Sequence, residues 1–223
     1  PLEPISKGKD CSGFINESLG GVAFNIALGL SKILNKRNFE LNLVSTIGKN
    51  EKTSLILTTL KQNNINTKYL LIKGNQNDQY LSIETKNGEI FGSINSSTTF
   101  LSSQSTIIEH FSRICLEHKN ENSNAIFIFD GNCTRELLDY VKKEASEKIF
   151  TKYFIPANFL KLAEFKNDAI YFKGFNLFIN LKEANILIDT KKLKNAMDAS
   201  IAIFEKTRTE TSFIIVTDGP NIA

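Results

Sequence analysis

The chain has 223 residues, of which 41% are hydrophobic and 23% are charged, and its formal net charge is +3. This composition is typical of a soluble globular protein that can bury one substantial core. The basic residues are scattered rather than clustered, which argues against nucleic-acid binding. No apolar run approaches the roughly 20 residues that a membrane-spanning helix needs.

The cysteines and histidines do not form a recognisable metal site. Cys11, Cys115 and Cys133 lack CxxC spacing, and their odd number favours a reducing compartment over a disulfide framework, so we expect a cytoplasmic protein. His110 and His118 stand too far apart along one helix-like stretch to bind a common metal ion.

The first predicted helix follows a glycine pair, in the stretch ESLGGVAFNIALGLSKI (residues 17–33). Adjacent glycines let the backbone turn sharply and let a ligand approach free main-chain N–H groups. Four apolar residues at helical spacing are predicted to form the buried stripe: Val22, Ile26, Leu30 and Ile33. Asn25 lies off this stripe, where its amide can offer a donor and an acceptor to a polyhydroxy ligand. The alternative is a tight turn followed by a solvent-facing asparagine.

Strand-like and helix-like segments then alternate along the chain. Strands are predicted at residues 41–46, 125–130, 148–155 and 212–217, and helices at residues 51–62, 134–147 and 191–206. The apolar run at 125–130 is typical of a strand buried on both faces, and Thr134 is a suitable N-cap for the helix that follows. The alternation predicts an α/β fold with a mostly parallel central sheet and helices on both faces.

Residues 67–100 break this alternation. They contain strand-like segments without an intervening helix, and Asn87-Gly88 is a strong hairpin signal. We expect this segment to act as a small β lid over a site or as the contact of a homodimer. The predicted organisation is a core of residues 1–66 and 101–223 with the lid, residues 67–100, inserted in it.

In order and spacing, these segments resemble the N-terminal half of the ribokinase (PfkB) family of carbohydrate and nucleoside kinases. Four residues match the family's GG-xxx-N-xA helix: Gly20, Gly21, Asn25 and Ala27. Gly48 matches its iG-x-D turn, although Asn50 stands where the family has Asp, and Gln79-Tyr80 replaces Thr-x-Tyr. The resemblance implies a ribokinase-like fold in which Gly20, Gly21 and Asn25 bind the hydroxyls of a sugar or nucleoside. The glycine spacing does not fit the GxGxxG of a dinucleotide-binding dehydrogenase.

Two later motifs imply a place for ATP and Mg²⁺. Asn180-x-x-Glu183 resembles the family's PN-x-x-E, with Ile179 in place of the proline, and the resemblance implies that it holds Mg²⁺ through water near the phosphates. The alternative for this motif is an ordinary helix capping box. Thr217 and Gly219, in IIVTDG, resemble the family's T-x-G and imply nucleotide binding; a plain strand-to-turn transition is the alternative.

Some stretches are similar to the pseudouridine-kinase branch, namely DCSGFINESLGGVAFNIA and IFIFDGNCTRELLDYV. YFIPANFLKL resembles that branch's FEPTS-x-x-K, with Ile155 in place of the acid and Asn158 in place of the serine. This resemblance implies ATP-dependent conversion of pseudouridine to pseudouridine 5′-phosphate. In fungi this kinase is commonly fused behind a pseudouridine-5′-phosphate glycosidase, which would explain a start in mid-chain.

The family's catalytic base is an aspartate in a D-T-x-G-A-G-D stretch, which we expect beyond Ala223. Both ends of the chain resemble cuts through a larger polypeptide, and residues 1–223 alone are expected to be inactive. The alternative function is a non-catalytic ligand-binding or assembly module that retains the kinase fold, motivated by Asn50, Ile155 and Ile179.

Overall fold

The structure, a computed structural model, describes residues 8, 10–34, 39–146, 149–156, 158–188, 193–207 and 213–219. The chain divides into two compact units, Pro1–Ile107 and Ile108–Ala223. This partition differs from the core and lid expected from the sequence, which remain a prediction. Both chain ends, the start of the helix predicted at 191–206 and the first residue of the strand predicted at 212–217 lie outside the described residues.

The first unit holds three helices and four strands in its described part: α1 (Val22–Leu34), β1 (Ser45–Ile47), α2 (Thr53–Gln62), β2 (Leu70–Ile72), β3 (Gln79–Glu84), β4 (Ile90–Ser96) and α3 (Thr98–Leu101). β1 and β2 pair in parallel, as expected for two strands joined by a helical crossover. β3 and β4 form an antiparallel hairpin across the turn that contains Gly88, whose φ is +79°. The hairpin predicted at Asn87-Gly88 is therefore confirmed, but β2 belongs to the parallel pair, so the antiparallel part of residues 67–100 is β3 and β4 alone.

The buried face of α1 differs from the predicted stripe. Phe24 and Ala27 are buried, whereas Ile33 is 76% exposed. Phe24 and Ala27 pack in a core cluster with Leu43, Leu60 and Ile65. The stripe prediction was wrong because it followed the aliphatic residues and passed over the aromatic Phe24, which removes a large apolar area from water when it is buried. Asn25 is exposed on the other side of the helix, as expected.

The second unit is built on a four-stranded parallel sheet in the order β5-β6-β7-β8. Its described elements, with two 3₁₀ segments, are α4 (Gln104–Glu121, which starts in the first unit), β5 (Ala125–Asp130), α5 (Arg135–Glu144), β6 (Phe150–Ile155), 3₁₀ turns at Phe159–Phe165 and Ala169–Phe172, β7 (Asn176–Asn180), α6 (Leu181–Leu187), α7 (Ala196–Thr207) and β8 (Ile214–Thr217). The predicted α/β fold with a parallel sheet is confirmed. β5 is an outer strand of this sheet, and Ile126 is 59% exposed, so the expectation that β5 is buried on both faces was wrong.

Aromatic residues form much of the core of the second unit. Phe154, Phe165, Phe172 and Phe175 are all fully buried, and the rings of Phe154 and Phe172 stack with centroids 4.7 Å apart. Such packing holds the 3₁₀ segments against β6, which fixes the chain that leaves the end of that strand. Thr134 caps α5 as predicted, since its side chain accepts the Leu137 N–H at 3.3 Å. Among the described residues, no helix combines the length and apolar character needed to cross a membrane.

Candidate functional site

The glycine pair at the start of α1 is open on all sides that a side chain would occupy. Gly20 and Gly21 are both exposed, and a Cβ added at either position would meet no other atom within 4 Å. Gly21 has a φ of +107°, a conformation that other residues rarely adopt. Neither glycine is therefore required by close packing, and the space beside them is free for a ligand.

Asn25 lies one turn into α1, and its main-chain N–H donates to the Gly21 carbonyl at 2.9 Å. Its side chain is exposed, and none of the described residues forms a hydrogen bond with its amide. The first N–H groups of a helix also lack partners inside the helix. Gly20, Gly21 and Asn25 thus bring together main-chain donors and a side-chain amide, which suits a ligand rich in hydroxyl groups.

The turn at Gly48 and Asn50 has a structural role that explains both residues. A Cβ on Gly48 would lie 2.4 Å from the main-chain carbonyl of Gln76, so only glycine fits. Asn50 Oδ1 accepts the Lys52 N–H at 3.0 Å and the Asn77 side-chain N–H at 3.1 Å. The amide group of Asn50 also donates to the Asn75 carbonyl at 3.3 Å, which a carboxylate could not do. Asparagine in place of the family's Asp therefore keeps this turn locked to the segment before β3.

Asp78 joins the base of the hairpin to α3. Its carboxylate accepts the N–H groups of Thr99 at 2.8 Å and Phe100 at 2.9 Å. Sequence reasoning placed Asp78 in the lid without assigning it a contact. The sequence signal for this contact is an Asp directly before β3 together with a Thr-Thr pair after β4.

In the second unit, the predicted ATP-site residues meet at the carboxyl end of the sheet. Asn180 ends β7 and Thr217 ends β8, and the two residues are direct neighbours across the strand pair. At the same end of the sheet, Asp130 ends β5 and Ile155 ends β6, and these two residues are also direct neighbours. Ligands of open parallel α/β sheets bind outside these carboxyl ends, so the position agrees with a nucleotide site.

Asn180 and Glu183 form a capping box at the start of α6. Asn180 Oδ1 accepts the Glu183 N–H at 2.9 Å, and Glu183 Oε2 accepts the Asn180 N–H at 2.8 Å. The structural alternative for this motif is thus present. It does not account for the whole side chain, because Glu183 is only 2% exposed and its Oε1 has no hydrogen-bond partner among the described residues.

The unpartnered oxygen of Glu183 fits a role beside a cation. Burial raises the pKa of the Glu183 carboxyl, and a nearby positive charge would offset that cost by favouring the charged form. Mg²⁺ in phosphate sites keeps several waters and takes one or two carboxylates. Among the described residues, no three His, Cys, Asp or Glu side chains are grouped as metal ligands.

Thr217 and Gly219 follow the sheet edge as the chain leaves β8. Both are exposed, and Gly219 has a φ of +60°, which favours glycine. The structure therefore brings Asn180, Glu183 and Thr217 together in the second unit, while Gly20, Gly21 and Asn25 lie in the first.

Gly131, which sequence reasoning did not single out, closes the turn after β5. A Cβ at this position would lie 2.3 Å from the Pro156 carbonyl oxygen, so the turn packs directly on the chain that leaves β6. Asp130 accepts the Asn132 N–H at 2.9 Å and is used in the same turn. Asn158 accepts the Leu160 N–H at 2.8 Å and caps the 3₁₀ segment. A glycine directly after a predicted buried strand was the available signal.

Comparison with known proteins agrees with this geometry. The family model for pfkB family carbohydrate kinases matches residues 13–221. A search of curated protein sequences finds no match. Ribokinase from Giardia lamblia matches with a TM-score of 0.74 at 15% identity, over 98% of this chain and 64% of that protein. A carbohydrate kinase from Agrobacterium tumefaciens matches with a TM-score of 0.64 at 16% identity, over 96% and 64%.

Ribokinase from Cryptococcus neoformans var. grubii serotype A, solved in complex with ADP, matches with a TM-score of 0.61 at 16% identity, over 98% of this chain and 68% of that protein. The chain spans less than two thirds of the Giardia and Agrobacterium proteins. These likenesses confirm the ribokinase-like α/β fold. With the match of the family model to nearly the whole chain, they lead to one conclusion: the chain belongs to the pfkB family of carbohydrate kinases.

Proposed function

We propose that the protein to which this chain belongs transfers the γ-phosphoryl group of ATP to a hydroxyl of a sugar or nucleoside. The observation that carries the proposal is the family match over residues 13–221. The open glycine pair and the buried, half-satisfied Glu183 agree with it. We further propose pseudouridine as the substrate, supported by the resemblance of residues 10–27 and 126–141 to the pseudouridine-kinase branch.

Each described site residue has a role that follows from its chemistry. Gly20, Gly21 and Asn25 bind and orient the hydroxyl-bearing ring, because phosphoryl transfer depends mainly on positioning and charge neutralisation. Thr217 and Gly219 line the nucleotide side. Asn180 holds the Glu183 carboxylate in place through the capping box. The unpartnered Glu183 oxygen would hold Mg²⁺ through water when the ion is bound. The metal ion, when bound, neutralises charge on the phosphates.

The catalytic base is part of the proposal and not of the described site. Asp78 and Asp130 each accept hydrogen bonds from nearby N–H groups and serve the local fold. From the family resemblance we propose that the base lies after Thr217, in a D-T-x-G-A-G-D stretch beyond Ala223. We therefore propose that residues 1–223 alone have no kinase activity.

One of the three replacements that motivated the non-catalytic alternative has a structural explanation. Asn50 is explained by its hydrogen bonds to Lys52, Asn75 and Asn77. Ile155 and Ile179 remain departures from the family pattern, and Ile179 is 3% exposed within β7, where it fills the core. These two replacements keep a ligand-binding module as a second candidate.

The hairpin carries a proposal on assembly. Leu81, Ile83 and Ile94 lie on one face of β3 and β4 and are 56%, 45% and 66% exposed. A two-stranded hairpin is only marginally stable alone. We propose that this face is covered, either because the hairpin closes over the substrate or because a second copy of the chain packs against it. Cys11, Cys115 and Cys133 are not joined in disulfides, and we propose a cytoplasmic location as a further part of the proposal.

The proposal is tested by assaying ATP-dependent phosphorylation of pseudouridine, uridine, adenosine and ribose by the complete protein. We expect turnover with at least one of them and the highest kcat/KM with pseudouridine. Asn25→Ala is expected to raise KM for the acceptor, and Glu183→Gln to lower kcat. Absence of turnover with every acceptor would reject the enzyme and leave the binding module. Turnover by residues 1–223 alone would reject the expected position of the base.

A further inference from the structure

The β3–β4 hairpin is exposed on both of its faces. Every residue of the two strands is exposed except Ser82 and Gly92, which are half-buried. In the described part of the chain, the hairpin therefore buries little surface that could hold it in place. Its position then depends on the two segments that join it to the first unit, residues 73–78 before β3 and residues 97–100 after β4.

The segment before β3 is bound to the turn that follows β1. The Gly48 N–H donates to Asn77 Oδ1 at 2.7 Å, and the Asn77 side-chain amide donates to Asn50 Oδ1 at 3.1 Å. The Lys49 N–H donates to the Gly74 carbonyl at 2.8 Å. Because these bonds act together, the segment cannot swing away from the turn without breaking several hydrogen bonds at once.

The segment after β4 is bound in turn to the segment before β3. Asp78 Oδ1 accepts the Thr99 N–H at 2.8 Å, and Asp78 Oδ2 accepts the Phe100 N–H at 2.9 Å. Thr99 Oγ1 donates to the Gln76 carbonyl at 2.8 Å. These bonds join the two segments just outside the first pair of the β-ladder. The two strands of the hairpin therefore cannot separate at their base while Asp78 keeps these bonds.

Asn77 and Asp78 bind two different elements from adjacent positions. Asn77 binds the turn after β1, whereas Asp78 binds the start of α3. Both side chains are half-buried. The carboxylate of Asp78 is a charged acceptor and forms stronger hydrogen bonds than a neutral group would. We call the contacts of these two residues the base clamp.

The outer end of the hairpin has no such clamp among the described residues. The hydrogen bonds of residues 84–90 stay within the hairpin. The register shifts between Ile83 and Glu84, and a bulge of this kind bends a strand. Gly92, which pairs with Ile83, weakens the other strand at the same level. Bending is therefore expected at Ile83 and beyond it, and not at the base.

We propose that Asn77 and Asp78 are positioning residues, which fix the base of the hairpin in the free protein so that the hairpin does not hinge there. A hairpin that covers a ligand from this position is already in place when the ligand arrives, which reduces the ordering that binding costs. The inference deepens the proposed function and rests on it in one respect: only a hairpin that covers the acceptor would affect acceptor binding.

Distances between spin labels in the free, complete protein test this inference. One label is placed at Thr58, which is exposed in α2, after reactive cysteines have been replaced by serine. The second is placed either at Ser93, between the clamp and the bulge, or at Asn87, in the hairpin turn. We expect a single narrow distance distribution for Ser93 and a broader one for Asn87. Asp78→Ala should at least double the width for Ser93, because both acceptor oxygens are lost.

Glu89→Ala removes an exposed carboxylate in the hairpin turn, and this matched control should leave the Ser93 distribution unchanged. Asn77→Ala releases the other side of the clamp and should broaden the distribution as Asp78→Ala does. Hydrogen exchange in β1 and α2 at the wild-type rate will show that Asp78→Ala keeps the fold of the first unit. If it does not, Asp78→Asn, which keeps one acceptor oxygen, replaces it with the same criteria.

The phosphorylation assay adds a readout that stability alone would not change. Asp78→Ala should raise KM for the acceptor at least tenfold and leave KM for ATP unchanged. A smaller folded fraction would lower the apparent kcat and change neither KM, so this split separates positioning from stability. An unchanged acceptor KM together with the expected distances would reject the hairpin as a cover and keep the clamp.

The inference is overturned if the Ser93 distribution is broad or double-peaked in the free wild type, or if it is unchanged in Asp78→Ala. Because the distances are measured without ligand, their outcome is separable from that of the kinase proposal. A protein with the expected distances and no turnover supports the clamp and rejects the enzyme, whereas turnover with unchanged distances in Asp78→Ala does the reverse.

Discussion

Alanine at position 20 separates a structural role of the glycine pair from a role in binding. An added Cβ would meet no atom within 4 Å, and Gly20 is not among the residues with positive φ. We therefore expect Gly20→Ala to change the free energy of unfolding by less than about 0.5 kcal/mol. The same methyl group would stand in the open space through which a hydroxyl reaches the main-chain N–H groups, so substrate binding should suffer.

Two other glycines of this segment, Gly21 and Gly29, provide comparison variants. Gly21 has a φ of +107°, so Gly21→Ala should cost about 1–3 kcal/mol of stability through backbone strain. Gly29 lies within α1 with no atom near its Cβ position, so Gly29→Ala should stabilise the protein by about 1 kcal/mol through helix propensity. The three variants thus have different expected stabilities for reasons that involve no ligand.

Urea unfolding gives the stabilities, and calorimetric titration with the best acceptor gives the affinities. Gly20→Ala should bind at least tenfold more weakly than the wild type, a loss of about 1.4 kcal/mol, while Gly29→Ala binds normally. A Gly20→Ala protein with wild-type affinity would refute the reasoning. So would a large loss of stability in that variant, since it would mean that the glycine serves packing.

Three further predictions concern other parts of the chain. Because burial raises the pKa of the Glu183 carboxyl, the metal-free folded protein binds more protons than the unfolded chain, and its stability falls as pH rises above the ordinary glutamate pKa. Glu183→Gln should abolish that fall, whereas Glu136→Gln, at an exposed position in α5, should keep it, and urea unfolding across pH will show the difference. Gly48→Ala should lower the free energy of unfolding by about 3 kcal/mol or more in the same assay, because its Cβ would overlap the Gln76 main chain. Gly92→Ala has open space around the added Cβ and should cause no such loss. Equal losses of stability in the two variants would contradict this explanation. Ile94→Ser should make a dimeric protein monomeric in sedimentation analysis if a second copy covers the hairpin, and an unchanged mass would exclude that use of the face.

The sequence predicted the parallel sheet well because local signals and the fold agreed. The run at 125–130 became β5 with the predicted bounds, and Thr134 caps the next helix. The strand β7 was missed because its residues were interpreted as a motif, although NLFIN is itself a short apolar run. The buried face of α1 was predicted wrongly because the spacing of the aliphatic residues fitted two sides of the helix. Only the contacts of Phe24 with the core decide between those two sides.

The sequence motifs named the candidate site residues, but the contacts of those residues could not be predicted from the sequence. Asn50 was seen as a departure from the family pattern, and the three hydrogen bonds that explain it join residues 25 to 27 positions apart or neighbours within the turn. Glu183 could be assigned to a capping box from the sequence. That its second oxygen is buried without a described partner depends on the packing of α6 and could not be read from the motif.

Hydrogen exchange of the main-chain amides at the start of α1 tests the central claim most directly. The N–H groups of residues 20–23 lie at an exposed helix start and lack partners within the helix, so they should exchange rapidly in the free protein. A saturating hydroxyl-bearing acceptor is predicted to slow their exchange at least tenfold, measured by mass spectrometry on the complete protein, while the exposed residues 86–89 of the hairpin turn provide the reference. Exchange at residues 20–23 that stays as fast with bound acceptor as without it would contradict the claim that the glycine pair binds the substrate.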